Sequence, residues 1–384
     1  MPDIKLKNQA SLCASTRLFL AYTSIKPFDV AFHPKEPVVF SSLLTGQVCA
    51  WSYDDATGET SSSWSVRPSK RTARALSIEE NGDEIWMGGK SGSLLCALTP
   101  PKVMCPILLM SNCSQLSTRD GSMTRERDSA HECPINRVYC VNRNLVATGD
   151  DDGVIKLWDP RQADSIRTYS QHFDYISDFT YFDDKRQLVA TSGDGHLSVI
   201  DIRSNKSTPL TVSEDQEDEL LSIVPIKGGQ KAIVGSGLGI LSVWNRQMGW
   251  ADSVDRIPGH PASIDAIVAL TPDIIATGSE DGMIRVIQVL PHKFLGVVAT
   301  HEEFPVERIR LDRNNKWLGS VSHDECLKLT DVEDLFEDSD EDDEMEEDEP
   351  DSDEEKSKKK KKDNGMKDMS RGQAENDGSF FADL

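Results

Sequence analysis

No run of apolar residues in this sequence approaches the ~20 needed to cross a membrane as a helix. Apolar types make up 38% of its 384 residues, and no membrane partner is expected. The opening stretch, MPDIKLKNQASLCASTRLFLAYTS, has scattered charges and no sustained apolar core, which argues against a signal peptide. Eight cysteines (13, 49, 96, 105, 113, 133, 140, 326) contain no C-x-x-C pair and no histidine at zinc spacing. Reduced thiols and no metal site follow. Basic charge is also in short supply: the net charge is −23, fourteen of it on residues 332–384 and only nine on residues 1–331. Direct nucleic-acid binding is therefore disfavoured, and basic protein surfaces are the natural electrostatic partners. A glycine-rich phosphate loop is missing too, because GSGLG at 235–239 lies within a hairpin pattern and not ahead of a helix. No cofactor, small-molecule substrate or catalysis is expected.

What the sequence does have is a repeat. Residues 145–159 read LVATGDDDGVIKLWD: an apolar run, a tight acidic turn at 150–153, and a second run closing on Trp158-Asp159. Two β-branched runs separated by Asp-Gly are a strong hairpin signal. With Gly153 as reference, equivalent turns fall at Gly46, Gly92, Gly195, Gly239, Gly282 and, with glycine replaced, Glu325. The intervals run from 42 to 46 residues, except for 61 between Gly92 and Gly153. A period of about 40–45 residues ending in Trp-Asp marks a WD-repeat propeller blade. The expected fold is an all-β, seven-bladed WD40-type propeller over residues 17–331. Residues 1–16 are read as a flexible start and 332–384 as a disordered tail, acidic and then lysine-rich.

The last repeat finishes its third strand at 327–331 and then turns acidic, so it cannot supply a fourth. Residues 17–25, RLFLAYTSI, alternate as a strand ahead of the first repeat. They are expected to fill that vacancy and close the ring, which removes an exposed edge. Blade two is weak, with Ala97 where blade three has its tryptophan. After it, residues 99–130 hold about eighteen more residues than the regular spacing requires and are read as an enlarged surface loop. Its apolar piece, 103–110, is read as the blade's outer strand, with a partner-binding segment as the alternative.

In blade three His131, Thr148, Asp152 and Trp158 match the hydrogen-bonded tetrad of WD repeats. A histidine near a hydroxyl and an aspartate also suggests a catalytic triad. A triad needs an exposed nucleophile and an oxyanion hole, and neither has a correlate here. Mutual satisfaction of buried polar groups is the preferred reading. Blade six keeps His260, Thr277 and Asp281, and blade seven His301, Ser320 and Asp324, with Ile287 and Thr330 in place of tryptophan. The acid pairs Asp150/Asp152 and Asp183/Asp184 belong to turns, where aspartate suits the backbone. At the ends of consecutive blades stand Trp158-Asp159-Pro160-Arg161 and Ile200-Asp201-Ile202-Arg203. The pairs Asp159/Arg161 and Asp201/Arg203 resemble the box by which WD-repeat substrate receptors dock onto the DDB adaptor of cullin-RING ubiquitin ligases. Simple surface pairing is the alternative.

The tail carries three motifs. Lys356, Lys358, Lys359, Lys360, Lys361 and Lys362 read as a nuclear localisation segment. Ser339 and Ser352 precede acidic residues and suit an acid-directed kinase. Phe380, Phe381 and Leu384 form a candidate docking peptide. Taken with ATGDDDGVIKLWD, TSGDGHLSVIDIR, ATGSEDGMIRVIQVLPHKFLGVV and the AFHP of the first blade, the terminal FFADL resembles the WD repeat-containing protein 55 family. The enlarged interval at 99–130 and the weak second repeat depart from the family pattern. The resemblance implies a non-catalytic scaffold in the nucleus, mainly the nucleolus. It also implies that protein contacts, with basic ribosome-assembly factors or ribosomal proteins, support ribosomal RNA production and large-subunit assembly.

Overall fold

The computed structural model describes residues 18–22, 25–91, 93–96, 116–117, 119–122, 125–127 and 129–335. Expectations placed on residues 1–16, on 103–110, on Gly92 and Ala97, and on every tail motif from Ser339 to Leu384 lie outside the described residues.

Runs rich in Val, Ile and Leu, each cut off by a glycine or aspartate turn, can only form short strands. They do so as antiparallel meanders. The first blade consists of Pro27–Phe32, Val38–Leu43, Val48–Tyr53 and Thr60–Val66. The His131 blade has Ile135–Asn142, Leu145–Asp150, Ile155–Trp158 and Ser165–Tyr169. The His172 blade starts with Ile176–Phe182, the next with Leu220–Ile226, and the His260 blade with Ile264–Thr271. The closing blade comprises Val306–Leu311, Trp317–Ser322 and Cys326–Asp331. Its fourth strand is Leu18–Tyr22, which pairs in register from Leu18↔Thr330 to Tyr22↔Cys326. Among the described residues these make six regular four-stranded blades, where seven equivalent ones are expected from the repeat.

The sheet between the first and His131 blades departs from the pattern. Ala73–Ile78, Glu84–Gly89 and Leu94–Cys96 form a meander, but the outer edge is Arg125–Arg127, paired with Leu94–Cys96, and a short Leu116–Ser117 pairs with Glu84 and Ile85. Arg125–Arg127 thus holds the edge position beside Leu94–Cys96. The extra residues of the interval lie between the third strand and its partner, so the meander's short return is lost. At the other end the packed chain runs beyond the expected boundary at 331, since Val332 and Leu335 are both buried.

Each sheet buries both faces against its neighbours, which is why central strands such as Leu145–Asp150 are buried at every position. Phe40, Ala50, Leu76 and Met87 join the first blade to the irregular sheet, and Trp86, Leu94, Ile135 and Val146 join that sheet to the His131 blade. Val39, Tyr53, Trp317 and Leu329 pack the closing blade onto the first. Close approach requires missing side chains at one position. A Cβ on Gly149 would lie 2.4 Å from Cβ of Ile176, and on Gly235 2.9 Å from Cβ of Ile264. In each case the leading apolar residue of the next inner strand occupies the room the glycine leaves.

In the six regular blades the second-to-third-strand turns use one device. Gly46, Gly153, Gly195, Gly239 and Gly282 have φ between 76° and 83°, and Glu325 takes the same left-handed turn at 63°. The turn backbone also donates to the lead-in of its own inner strand: Asp151 N–H to Pro134, Gly193 to Tyr175, Gly237 to Glu219 and Glu280 to Ser263, at 2.9–3.1 Å. These turns and lead-ins therefore form one face, with the first-to-second-strand turns on the other.

Candidate functional site

Three kinds of polar constellation stand out among the described residues: histidine clamps within blades, Asp-x-Arg pairs at blade ends and a buried charge cluster on the axis. In the His131 blade the indole Nε1–H of Trp158 donates to Thr148 Oγ1 at 2.8 Å, and Thr148 Oγ1 lies 2.6 Å from His131 Nε2. The Asp150 carboxylate beside Nδ1 can only accept, so Nε2 of the neutral ring accepts from the Thr148 hydroxyl. That places the imidazole proton on Nδ1, 2.7 Å from Asp150 Oδ2. The acid is Asp150, not Asp152, which instead accepts from the Cys133 thiol at 2.9 Å. Asp150 also caps its own turn, accepting from the N–H groups of Asp152 and Val154 through Oδ1.

Other blades rebuild the same contact differently. His301 bridges Ser320 Oγ at 2.8 Å and Asp324 Oδ2 at 2.7 Å, as expected from the sequence. Here the residue aligned with Asp150 is Ser322, so the acid two positions later takes over. In the His172 blade Ala190 stands at the register position of Thr148, so His172 uses Ser198 of the third strand, at 2.8 Å, with Asp194 at 3.0 Å. His260 reaches Thr277 at 2.8 Å, but Asp281 is taken by Arg285 at 2.6 Å, so the expected trio is incomplete. Burial, aided by Arg285, pushes His260 down to about 4, whereas at His131 and His301 burial lowers the value and the aspartate partly restores it. All three rings are neutral at pH 7. Thr148 and Ser320 are 0% exposed, so no substrate reaches either hydroxyl. The constellations are clamps between strands, not nucleophiles.

A substitution separates the two acids. Asp150→Ala should lower the unfolding free energy of the chain by about 1–3 kcal/mol, since it strands a buried imidazole donor and two turn N–H groups. Asp152→Ala should change it by less than about 0.5 kcal/mol. Equal losses, read by denaturant unfolding, would restore Asp152 to the tetrad.

The Asp-x-Arg pairs are built alike. Arg161 Nε and Nη2 donate to Asp159 at 2.9 and 2.7 Å, and Arg203 does the same to Asp201 at 2.9 and 2.7 Å. In both, the arginine's own N–H also binds the aspartate, and its side chain remains 69% and 65% exposed. The Arg161 hydrogen bond holds Asp159 at about 2. Each tip is braced from the preceding sheet: Arg127 donates to the carbonyls of Asp159, Pro160 and Gln162 while its guanidinium covers Trp158, and Arg167 donates to that of Ile202 at 2.6 Å. The replacement of Trp158 by Ile200 in the second copy leaves the pair's geometry unchanged.

Sequence reasoning missed the charged cluster on the ring's axis. Arg137 donates to Asp178 at 2.8 Å and to Asp29 at 3.0 Å, and Arg308 lies 3.5 Å from Asp178 and 3.8 Å from Asp29. Asp29 also accepts from the N–H of Leu76 at 2.8 Å. Burial would raise Asp178, but Arg137, Arg308 and Arg310 outweigh it and hold the carboxyl at about 2. Burial and the neighbouring Arg137 bring Arg308 down to about 10. Asp29, Arg137, Asp178 and Arg308 share one register position, two residues after the leading residue of four inner strands. That repeated charge in an otherwise apolar strand was the available signal. Among the described residues no group of His, Cys, Asp and Glu has the arrangement of a metal site.

The family model WDR55 matches residues 110–335, more than half of the chain. The chain belongs to the WDR55 family. It is 97% identical over 384 residues to a WD repeat-containing protein JIP5 of Cryptococcus neoformans var. neoformans, covering 100% of both. To WD repeat-containing protein 55 of Arabidopsis thaliana it is 32% identical, covering 81% of this chain and 82% of the other. The same holds at 32% for the Bos taurus protein, with 80% and 74% covered. In shape it is similar to the WD40 β-propeller domain of Doa1, with a TM-score of 0.65 at 14% identity over 87% of this chain and 98% of that one. At that identity the likeness concerns the fold. The family match and the likeness to a WD40 β-propeller place the chain's fold among the WD-repeat propellers.

Proposed function

We propose that this WDR55-family chain is a non-catalytic nucleolar scaffold that supports ribosome biogenesis by holding basic assembly factors or ribosomal proteins. Family membership carries the reading, and the burial of every tetrad hydroxyl removes the most obvious catalytic alternative. The irregular sheet counts as the second of seven blades in this proposal, since it packs on both neighbours. Nuclear entry is assigned to Lys356 and Lys358 through Lys362, and the acidic run around Ser339 and Ser352 supplies a second attraction for basic partners. Affinity purification of the intact chain, with mass spectrometry, should recover basic ribosomal or assembly proteins. Recovery of none would sink the scaffold reading. Deleting residues 356–362 should move the protein towards the cytoplasm, and unchanged nuclear accumulation would remove the localisation proposal.

A second reading has its own observation. The two Asp-x-Arg pairs are nearly superposable on consecutive blades, with both guanidinium groups facing solvent. Asp-x-Arg pairs on consecutive blades resemble the box that docks on a cullin-RING adaptor of the DDB type. Arg161→Glu with Arg203→Glu should abolish adaptor co-purification under this reading, while adaptor capture that survives the reversal would dismiss it.

A further inference from the structure

Among the described residues ten large apolar side chains are exposed, and five of them stand on the face made by the second-to-third-strand turns and the lead-ins. Leu44 and Leu238 belong to turns, Met283 follows the turn glycine Gly282, and Phe173 and Phe304 belong to lead-ins. Phe173 is 90% exposed and Leu238 70%. Their backbones are nevertheless held. Phe173 N–H donates to Asp194 at 2.9 Å, Leu238 N–H to Asp218 at 3.0 Å, Leu44 N–H to the carbonyl of Lys26 at 3.0 Å and Phe304 N–H to that of His301 at 3.2 Å. Apolar groups fixed in water lose little further freedom when covered, which favours a contact surface.

Charge divides the same face in two. The lead-in to Ala73–Ile78, RPSKRT at 67–72, has three bases and no acid, with Lys26 and Lys90 beside it. All five cations are exposed, and among the described residues none meets a carboxylate within 4 Å. The lead-in to Leu220–Ile226, EDQEDE at 214–219, has five acids and no base. Seven sheets follow one another around the ring, the irregular one second in order. The basic and acidic lead-ins, to the second and fifth sheets, are therefore three sheets apart by one path and four by the other, on nearly opposite sides of the axis.

A face charged in this way is complementary to a copy of itself. When two such faces are stacked on a common ring axis, a two-fold axis between them can exchange the lead-ins to the second and fifth sheets. The same operation returns the lead-in to the seventh sheet, with Phe304, onto its own mate, and brings Phe173, on the lead-in to the fourth, within one sheet of its mate. Leu44 lies between the lead-ins to the first and second sheets, since its N–H is on Lys26 and the Gly46 carbonyl accepts from Ser69. It is carried to the gap between the fifth and sixth. Leu238 stands there, its N–H on Asp218 and the next carbonyl, Gly239, accepting from His260. One operation thus sets base against acid and apolar against apolar. A partner of one charge sign suits one side of the face and is repelled by the other, whereas a second copy suits both.

We propose that two copies of this chain pair turn face to turn face about that two-fold axis. The full chain should sediment at twice its mass at micromolar concentration. Lys70→Glu with Arg71→Glu makes both lead-ins acidic, and Glu214→Lys with Asp215→Lys and Glu217→Lys makes both basic. Each set should weaken self-association at least about tenfold, because like charges then face each other. Mixed one to one, the two variants should associate, since the acidic face of one meets the basic face of the other, and that recovery also shows both to be folded. Phe173→Ser with Phe304→Ser, at exposed positions, should weaken the dimer about tenfold without altering charge. A full chain that stays monomeric, a dimer left intact by both charge variants, or a mixture as monomeric as either variant alone would overturn the pairing.

Discussion

A chain lacking residues 1–25 should unfold at a much lower temperature than the intact one, by about 10 °C or more. Leu18–Tyr22 supplies five residue pairs to the outer edge of Cys326–Asp331. A net contribution of about 0.5–1.5 kcal/mol per hydrogen bond puts the strand at about 3–6 kcal/mol. That is a large share of the ~5–15 kcal/mol by which folded domains are stable. Its loss also leaves the third strand as an open edge, with unpaired N–H and C=O groups available to other copies. Calorimetry should show the lowered transition, and size-exclusion chromatography should show new oligomers. The comparison is a chain ending after residue 337, since Val332 and Leu335 are packed and must be kept. It should melt within about 2 °C of the intact protein. Similar losses from the two truncations would mean that the first strand does not hold the ring shut.

The closing strand was legible because the last repeat visibly lacks a fourth member and 17–25 alternates. The turns were legible because a left-handed residue recurs at a fixed interval, and even Glu325 could be placed by counting. Reading failed where two residues of one type compete for one partner. Asp150 and Asp152 lie on either side of a turn apex, and only the folded backbone decides which reaches His131. The edge strand of the irregular sheet carried no apolar signal. Outer strands of blades are half-exposed, as Thr60–Val66 and Ser165–Tyr169 show, so a segment as polar as Arg125–Arg127 is ordinary company for them. The axial charges escaped notice for a third reason. They are far apart in sequence, up to 279 residues from Asp29 to Arg308, and only the register of four inner strands aligns them.

Asp178→Asn, a change of charge with almost none of shape, should cost about 3–5 kcal/mol at pH 7, the usual range for breaking a buried ion pair from one side. It leaves Arg137, Arg308 and Arg310 facing Asp29 alone, in a place where water cannot compensate. The pH dependence identifies charge as the cause. Asp178 titrates at about 2 in the folded chain, below the ~3.9 of an unfolded aspartate. Its contribution is therefore complete above about pH 4 and disappears as the pH falls towards 2. Asparagine mimics the protonated carboxyl, so the gap in stability between parent and variant should narrow as urea unfolding is repeated from pH 7 to pH 3. A second substitution checks the balance of the cluster. Arg137→Met in the Asp178→Asn background returns the cluster to its parental net charge and should recover part of the loss, giving a coupling of about 1–3 kcal/mol in a double-mutant cycle. A gap independent of pH, or additive losses, would show that the axis is held by packing and not by the pairing of Asp29 and Asp178 with arginines from the other side of the ring.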